Sequence, residues 1–333
     1  MKKLGQYLYE AENPFIAREL IKSLTPDLIT LDVEMPKMDG ITFLANLMRL
    51  RPMPVVMLST LTTKGADITL QALELGAIDF IAKPKVETLI GASATFSEFL
   101  IDKVKQAVKV DQKQHHLTSK LIDSSDVSIL PFKGCERRNH VIAIGASTGG
   151  IEALKVVLSR LPKNSPPIVI AQHIPPTFSE RFANRLNSMC EVTVQEARHG
   201  IKIKEGNVYI AKGGIHLRIE EKNGALFCVF EDGEKVNRHK PSVDVLFRSL
   251  IPMAHNVQAV LLTGMGNDGA QGMLALKNAG AKTLIQDKNS SLIGGMPGSA
   301  YKLSAHDEQC DLLKISQNML TYAGLTLDEM KEV

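Results

Sequence analysis

The feature that most constrains this chain is an alternation. Short apolar runs, each closed by a polar or glycine-bearing turn, are followed in most cases by a stretch with apolar residues at helical spacing. "DLITLDV", "PVVMLS" and "AIDFIAK" are separated by "ITFLANLMRL" and "ADITLQALELG", and later "HVIAIGA", "PPIVIAQH", "NVYIAKG", "QAVLLTGMG" and "KTLIQD" repeat the scheme. Continuous apolar runs of four to eight residues with helices between them predict parallel strands covered on both faces, so the fold class is α/β. At 333 residues the chain exceeds what one core normally serves. Two domains are expected, divided by the polar, aperiodic "DQKQHHLTSKLIDSSDVSILPFKGCERRN" that follows the amphipathic "SEFLIDKVKQAVKV".

Charge and cysteine usage exclude several classes. A formal net charge of +3, without a long Lys/Arg block, lacks the footprint of a nucleic-acid binder. Cys135, Cys190, Cys228 and Cys310 are scattered with no C-x-x-C spacing, which suggests reduced thiols and neither a zinc site nor a disulfide framework. No run approaches the roughly 20 apolar residues of a membrane span. The opening "MKKLGQYLYEAENP" has basic residues but no apolar core of a signal peptide. A cytoplasmic location is the expectation.

In the first half, Asp32, Ser59 and Lys83 each close a strand, with Pro84 after the lysine. Open α/β sheets bind ligands at the carboxyl ends of their strands, so an acid, a hydroxyl and an amine are expected to converge on one crevice. With D-x-x-M-P-x-M-D-G running from Asp32 to Gly40, this half resembles a response-regulator receiver domain. The resemblance implies a flavodoxin-like sheet, Asp32 as phosphoacceptor, Ser59 as switch hydroxyl and Lys83 as the lysine that contacts the phosphoryl group. "GQYLYEAENPFIARELIKSL" resembles the region of a receiver's second strand and helix, and Glu10 and Glu12 fall there. The strand that opens a receiver, ending in paired acids that hold Mg²⁺, has no counterpart, nor does the helix after it. The chain reads either as starting inside a longer gene or as carrying a reduced receiver, and Mg²⁺-dependent phosphorylation control is not expected of it as it stands.

The second half opens on "VIAIGASTGGIEALKVVLSRL". Gly145 to Gly149 fits G-x-S-x-G between a buried strand and a helix, the context in which that motif exposes a serine nucleophile beside helix N-terminal amides. A phosphate cradle would need a G-K-[ST] ending that is missing, and a plain turn is the bland alternative. A nucleophilic Ser147 needs a base. His173 directly follows the next apolar strand, whereas His115 and His116 lie in the linker, and His140, His199, His216, His239 and His255 are expected to be surface or structural. Asp268, in the glycine-rich turn after "QAVLLTGMG", is placed to orient the imidazole. The stretch G264-M-G266-N-D-G269 also fits a dinucleotide fingerprint, with Asp287 as its ribose-binding acid. That fingerprint normally opens its domain, however, and this one follows several strands.

The order Ser147, His173, Asp268 matches none of the α/β-hydrolase, chymotrypsin or subtilisin orders. Together "IAIGASTGG", "QHIPPTFSERFANRLN", "VNRHKPSVDVLF", "LTGMGNDGAQGM" and "GMP" resemble the catalytic domain of the CheB family, the chemotaxis protein-glutamate methylesterases. The implied organisation is a receiver over 1–108, a linker over 109–137 and a methylesterase domain over 138–333. The implied activity is hydrolysis of glutamate methyl esters on the cytoplasmic helices of chemoreceptors, with deamidation of particular glutamines as a second activity. A chemotaxis histidine kinase is the implied phosphodonor. The esterase is expected to need no metal or organic cofactor, with the backbone amides near Thr148 and Met265 as candidate oxyanion donors. Arg238 and His239 in "NRHKP" could meet an acidic receptor segment or be a solvated loop. A non-catalytic receptor-binding module is the remaining alternative.

Overall fold

The computed structural model describes residues 7–60, 62–83, 97, 100–110, 128–135 and 139–325. The first six residues, Pro84, and most of the linker with His115 and His116 lie outside the described residues. The chain divides into two compact units, Met1–Gln112 and Lys113–Val333.

In the first unit, α1 (Pro14–Leu24) is capped by Asn13, whose side chain accepts from the amides of Phe15 and Ile16. It is followed by β1 (Ile29–Asp32), α2 (Gly40–Leu50), β2 (Val55–Ser59), α3 (Thr63–Glu74) and β3 (Asp79–Ala82). The three strands pair in parallel in the order β1-β2-β3. Residues 100–107 are helical. Residues 7–13, expected as the second strand of a receiver, form no strand, and Tyr7 and Leu8 are exposed. A strand exists only by joining a ladder, and no described strand lies beside β1 on the side away from β2.

The second unit holds β4 (Val141–Ala146), α4 (Gly150–Leu158), β5 (Ile168–Gln172), α5 (Pro176–Asn187), β6 (Thr193–Glu196) and β7 (Asn207–Ile210). An antiparallel hairpin of β8 (His216–Lys222) and β9 (Ala225–Glu231) follows. The chain then runs through α6 (Val243–Ser249), β10 (Val257–Leu261), α7 (Ala270–Asn278), β11 (Lys282–Gln286), α8 (Gly295–Lys302), β12 (Glu308–Cys310) and α9 (Leu312–Ala323). Seven strands form one parallel sheet in the order β12-β11-β10-β4-β5-β7-β6. All six residues of β4 and all five of β5 and of β10 are buried, as central strands covered on both faces require.

The chain leaves β4 toward β5 on one side and returns to β10 on the other. The strand order therefore reverses between β4 and β10, and the region beyond their carboxyl ends is where open α/β sheets take their ligands. Two glycines shape it. A Cβ on Gly145 would sit 2.3 Å from Val243 Cγ1, so only glycine lets α6 lie this close across β4. Gly149, with φ 77°, takes the left-handed turn from which α4 starts. The strain of this strand-to-helix turn thus falls on Gly149, and Ser147 itself is not left-handed.

Candidate active site

Ser147 follows β4 directly, and its backbone is held on both sides. Its amide donates to Thr263 O at 3.0 Å, and its carbonyl accepts from Gly150 N at 2.7 Å and from Gln172 Nε2 at 3.0 Å. Thr263 is fixed in turn. Its amide donates to Gln286 Oε1 at 2.8 Å, and its hydroxyl donates to Thr148 O at 3.0 Å and accepts from Ile293 N at 2.9 Å. The loops after β4 and β10 are thereby locked together beneath the serine.

His173 follows β5, with its amide bonded to Ala146 O at 3.2 Å. Its Nδ1 lies 3.0 Å from Ser147 Oγ and its Nε2 lies 2.8 Å from Asp268 Oδ2. An ionised carboxylate only accepts, so Nε2 carries the proton and Nδ1 presents its lone pair to the serine hydroxyl. The three side chains that the sequence pointed to form one chain of hydrogen bonds, and the side chains of His173 and Asp268 are 7% and 1% exposed.

Asp268 is buried but heavily hydrogen-bonded. Besides His173, Oδ2 accepts from Val243 N at 2.7 Å, while Oδ1 accepts from Asn237 Nδ2 at 2.8 Å, Ser242 Oγ at 2.8 Å and Asp244 N at 3.2 Å. The carboxylate thus caps the first two amides of α6 from outside. Burial alone would raise its pKa. The bond from His173, with the charge that ring carries when both its nitrogens are protonated, and the bonds from Asn237 and Ser242 outweigh burial and hold the carboxyl well below its usual range. Asp244 behaves oppositely: burial raises its pKa, and the Asp268 charge adds to this against the bonds from Gly272 N and Asn237. Asn237 Nδ2 donates to both carboxylates, at 2.8 Å each.

Sequence reasoning missed several members of this group. His239, expected to be surface or structural, stacks on His173 with ring centroids 3.5 Å apart and planes 8° from parallel. Asn237, Ser242, Gln172 and Thr263 were not singled out either, because their partners lie on other elements and no local pattern marks them. His216 is structural as expected: buried, it accepts from Ser242 N at 3.2 Å and its Nε2 donates to Glu234 O at 2.8 Å.

The dinucleotide fingerprint has another use. Gly264 N donates to Ile293 O and its carbonyl accepts from Met296 N, both at 2.9 Å, while a Cβ there would stand 2.8 Å from Ser147 Cβ. Gly269 is packed against Val243, and Asp287 Oδ1 accepts from the amide and hydroxyl of Ser290 at 2.7 and 2.8 Å. Two of the three fingerprint glycines, Gly264 and Gly269, are thus closed by protein, while Gly266 faces open space.

In the first unit Lys83 Nζ pairs with Asp32 Oδ2, and Asp32 Oδ1 accepts from Glu34 N at 3.1 Å. Ser59 does not join them. It is buried under α3 and its hydroxyl donates to Gly65 O at 3.2 Å and Thr60 O at 3.3 Å. Mg²⁺ needs several hard oxygen ligands in octahedral geometry. One carboxylate already paired with an ammonium does not supply them, and no group of three His, Cys, Asp or Glu residues suited to a metal is found among the described residues. The residues present here do not fit a magnesium ion.

Comparison with known proteins identifies the family. Residues 142–319 match the family model described as CheB methylesterase, and residues 1–93 match the response regulator receiver domain. The chain is 49% identical over 319 residues to protein-glutamate methylesterase/protein-glutamine glutaminase 2 of Xanthomonas oryzae pv. oryzae, covering 94% of this chain and 89% of that protein. It is 50% identical over 312 residues to the protein-glutamate methylesterase/protein-glutamine glutaminase of Pectobacterium atrosepticum, covering 93% of this chain and 87% of that one. Among solved structures, the CheB methylesterase catalytic domain of Thermotoga maritima matches with a TM-score of 0.54 and 35% identity, covering 57% of this chain and 99% of that chain.

Proposed function

The chain belongs to the CheB methylesterase family, a receiver followed by a methylesterase domain, and from that premise we propose that it hydrolyses glutamate methyl esters on chemoreceptor cytoplasmic helices and deamidates particular receptor glutamines through Ser147, His173 and Asp268. The domain boundaries that go with this reading are 1–108, 109–137 and 138–333. The observation that carries it is the hydrogen-bond chain from Ser147 Oγ through His173 to Asp268, at 3.0 and 2.8 Å, at the sheet's reversal point.

In this reading Ser147 Oγ attacks the ester carbonyl while His173 Nδ1 takes its proton. Asp268 keeps the other ring proton on Nε2 and stabilises the imidazolium. The tetrahedral oxyanion is met by the amides of Thr148 and Met265. Met265 follows Gly264, whose own amide and carbonyl are already engaged, in the turn packed against Ser147. Collapse expels methanol, protonated by His173, and leaves an acyl-serine. A water molecule deprotonated by the same imidazole then releases the glutamate and restores Ser147. With a glutamine substrate the leaving group is ammonia and the steps are otherwise the same. Every proton and charge in the cycle is handled by these side chains and amides, so the esterase is read as needing no cofactor. A histidine kinase is the expected phosphodonor class for the receiver, but the fit of Asp32 to Mg²⁺ fails and no step is assigned to it. Among the described residues no helix is long and apolar enough to cross a membrane.

The test is methanol release from methylated receptor fragments by the full chain and by Ser147→Ala. Ser147→Ala is expected to release no methanol above background while keeping its thermal unfolding transition. Release at the wild-type rate would overturn the mechanism, and a wild-type chain that binds receptor without releasing methanol would establish the non-catalytic module instead.

A further inference from the structure

Two hydrogen bonds at opposite ring nitrogens fix the axis of the His173 imidazole but leave its plane free to rock about that axis. The plane matters because the Nδ1 lone pair points at Ser147 Oγ in one orientation only. Something must hold the face of the ring, and His239 lies flat against it, with centroids 3.5 Å apart and 8° between planes.

His239 is itself firmly placed. Val236 and His239 exchange backbone hydrogen bonds at 3.1 and 2.9 Å across a two-residue turn, Asn237-Arg238, in which both residues are left-handed, with φ of 51° and 70°. That is the geometry of a tight hairpin turn, normally the preserve of Asn and Gly, and an arginine held there is a strained residue that persists where its surroundings dictate the conformation. The surroundings do so. Asn237 is tied to Asp268 Oδ1 and Asp244 Oδ2, Lys240 Nζ reaches Asp232 Oδ1 at 2.6 Å and Gly233 O at 2.9 Å, and Gly214 N donates to Lys240 O at 3.0 Å. One short turn therefore grips the acid that orients His173 and covers the face of His173 two residues later.

We propose that His239 is a positioning residue for the base: its ring locks the plane of His173 so that Nδ1 stays aimed at Ser147, and it shields one face of the imidazolium from water. The proposal rests on the reading of Ser147 and His173 as nucleophile and base. It makes the planar face of residue 239, not its nitrogens, the feature required. His239→Ala is expected to lower kcat at least tenfold with KM within about twofold, as follows for a ring that acts through the base. His239→Phe, which restores a flat ring, should recover kcat to within about threefold of wild type. Labelling of Ser147 by a fluorophosphonate, which needs the nucleophile and base but no receptor, should slow in parallel in His239→Ala and recover in His239→Phe. Thermal unfolding checks that each variant is folded. If His239→Ala is not, His239→Leu, which has bulk but no flat face, takes its place. Wild-type kcat in the Ala or Leu variant, or a Phe variant as slow as either, would overturn the proposal. A wild-type chain that neither releases methanol nor takes the label would instead sink the esterase reading, and this inference with it.

Discussion

Asp268→Asn changes one carboxylate oxygen to an NH₂ group and leaves the volume of the side chain as it is, so its effect can be worked out bond by bond. The carboxylate accepts from five donors. An asparagine offers one acceptor oxygen and must place its NH₂ at one of two positions. At the Oδ1 position it would face Asn237 Nδ2 and Asp244 N, two donors, with only Ser242 Oγ free to turn and accept. At the Oδ2 position it would face one obligate donor, Val243 N, and His173, which can accept if its proton moves to Nδ1. The second arrangement leaves fewer mismatches and is therefore the one expected. It places a proton between Nδ1 and Ser147 Oγ, and the base is lost. In serine proteases the equivalent change of tautomer lowers kcat about 10⁴-fold, which corresponds to about 5.4 kcal/mol of barrier. The stranded Val243 amide costs the fold about 1–3 kcal/mol. We expect kcat for methanol release to fall about 10⁴-fold with KM little changed and the melting temperature reduced but the transition still cooperative.

The same residue makes a pH-dependent contribution to stability with a definite sign. The folded pKa of Asp268 is depressed, so its stabilising contribution is complete above the unfolded value of about 3.9 and is lost as pH falls below that toward the folded one. The difference in unfolding free energy between wild type and Asp268→Asn should therefore shrink as pH falls below about 4. Asp244, whose folded pKa is raised by burial and in part by the Asp268 charge, contributes with the opposite slope above about pH 3.9, and that slope is weaker in Asp268→Asn because the neighbouring charge is gone. A folded Asp268→Asn chain with kcat within tenfold of wild type would refute the tautomer argument. A stability difference that does not narrow in acid would refute the electrostatic one.

Two further outcomes follow from other parts of the molecule. Gly149→Ala places a Cβ 2.8 Å from Leu292 Cβ and Cδ2 at a φ of 77°, so it should lower stability by about 1–3 kcal/mol, read by thermal or denaturant unfolding, and slow methanol release by shifting the serine turn; an unchanged melting temperature would show that the turn relaxes freely. A small-molecule phosphodonor with Mg²⁺ should leave the esterase rate of the chain unchanged, because among the described residues no group of three His, Cys, Asp or Glu side chains is placed to hold a metal, and Asp32 is paired with Lys83. A several-fold, Mg²⁺-dependent activation that disappears in Asp32→Asn would show that the receiver accepts phosphate without that metal cluster.

What could be read from the sequence, and what could not, divides along a physical line. Central parallel strands are buried on both faces and so appear as unbroken apolar runs; β4, β5 and β10 were legible for that reason, and with them the placement of Ser147, His173 and Asp268 just beyond strand ends at one edge of the sheet. The edge strands β6 and β12 read "TVQE" and "EQC" and are half exposed, so no run marks them. The β8–β9 hairpin is marked in the sequence by its turn: Asn223-Gly224, both left-handed, join Lys222 and Ala225 in the two-residue turn that this dipeptide favours. His239 is a different case. Its turn lies beyond the half-buried β9, most of its neighbours are polar, and nothing in its own segment distinguishes it from a solvated loop. It reaches His173 because Gly145 lets α6 approach β4, which brings Val243, Ser242 and the preceding turn down onto Asp268. Periodicity encodes which face of an element is buried, whereas a contact between residues 173 and 239 depends on how closely two elements can approach. Here that approach is set by a glycine nearly a hundred residues before the turn it positions.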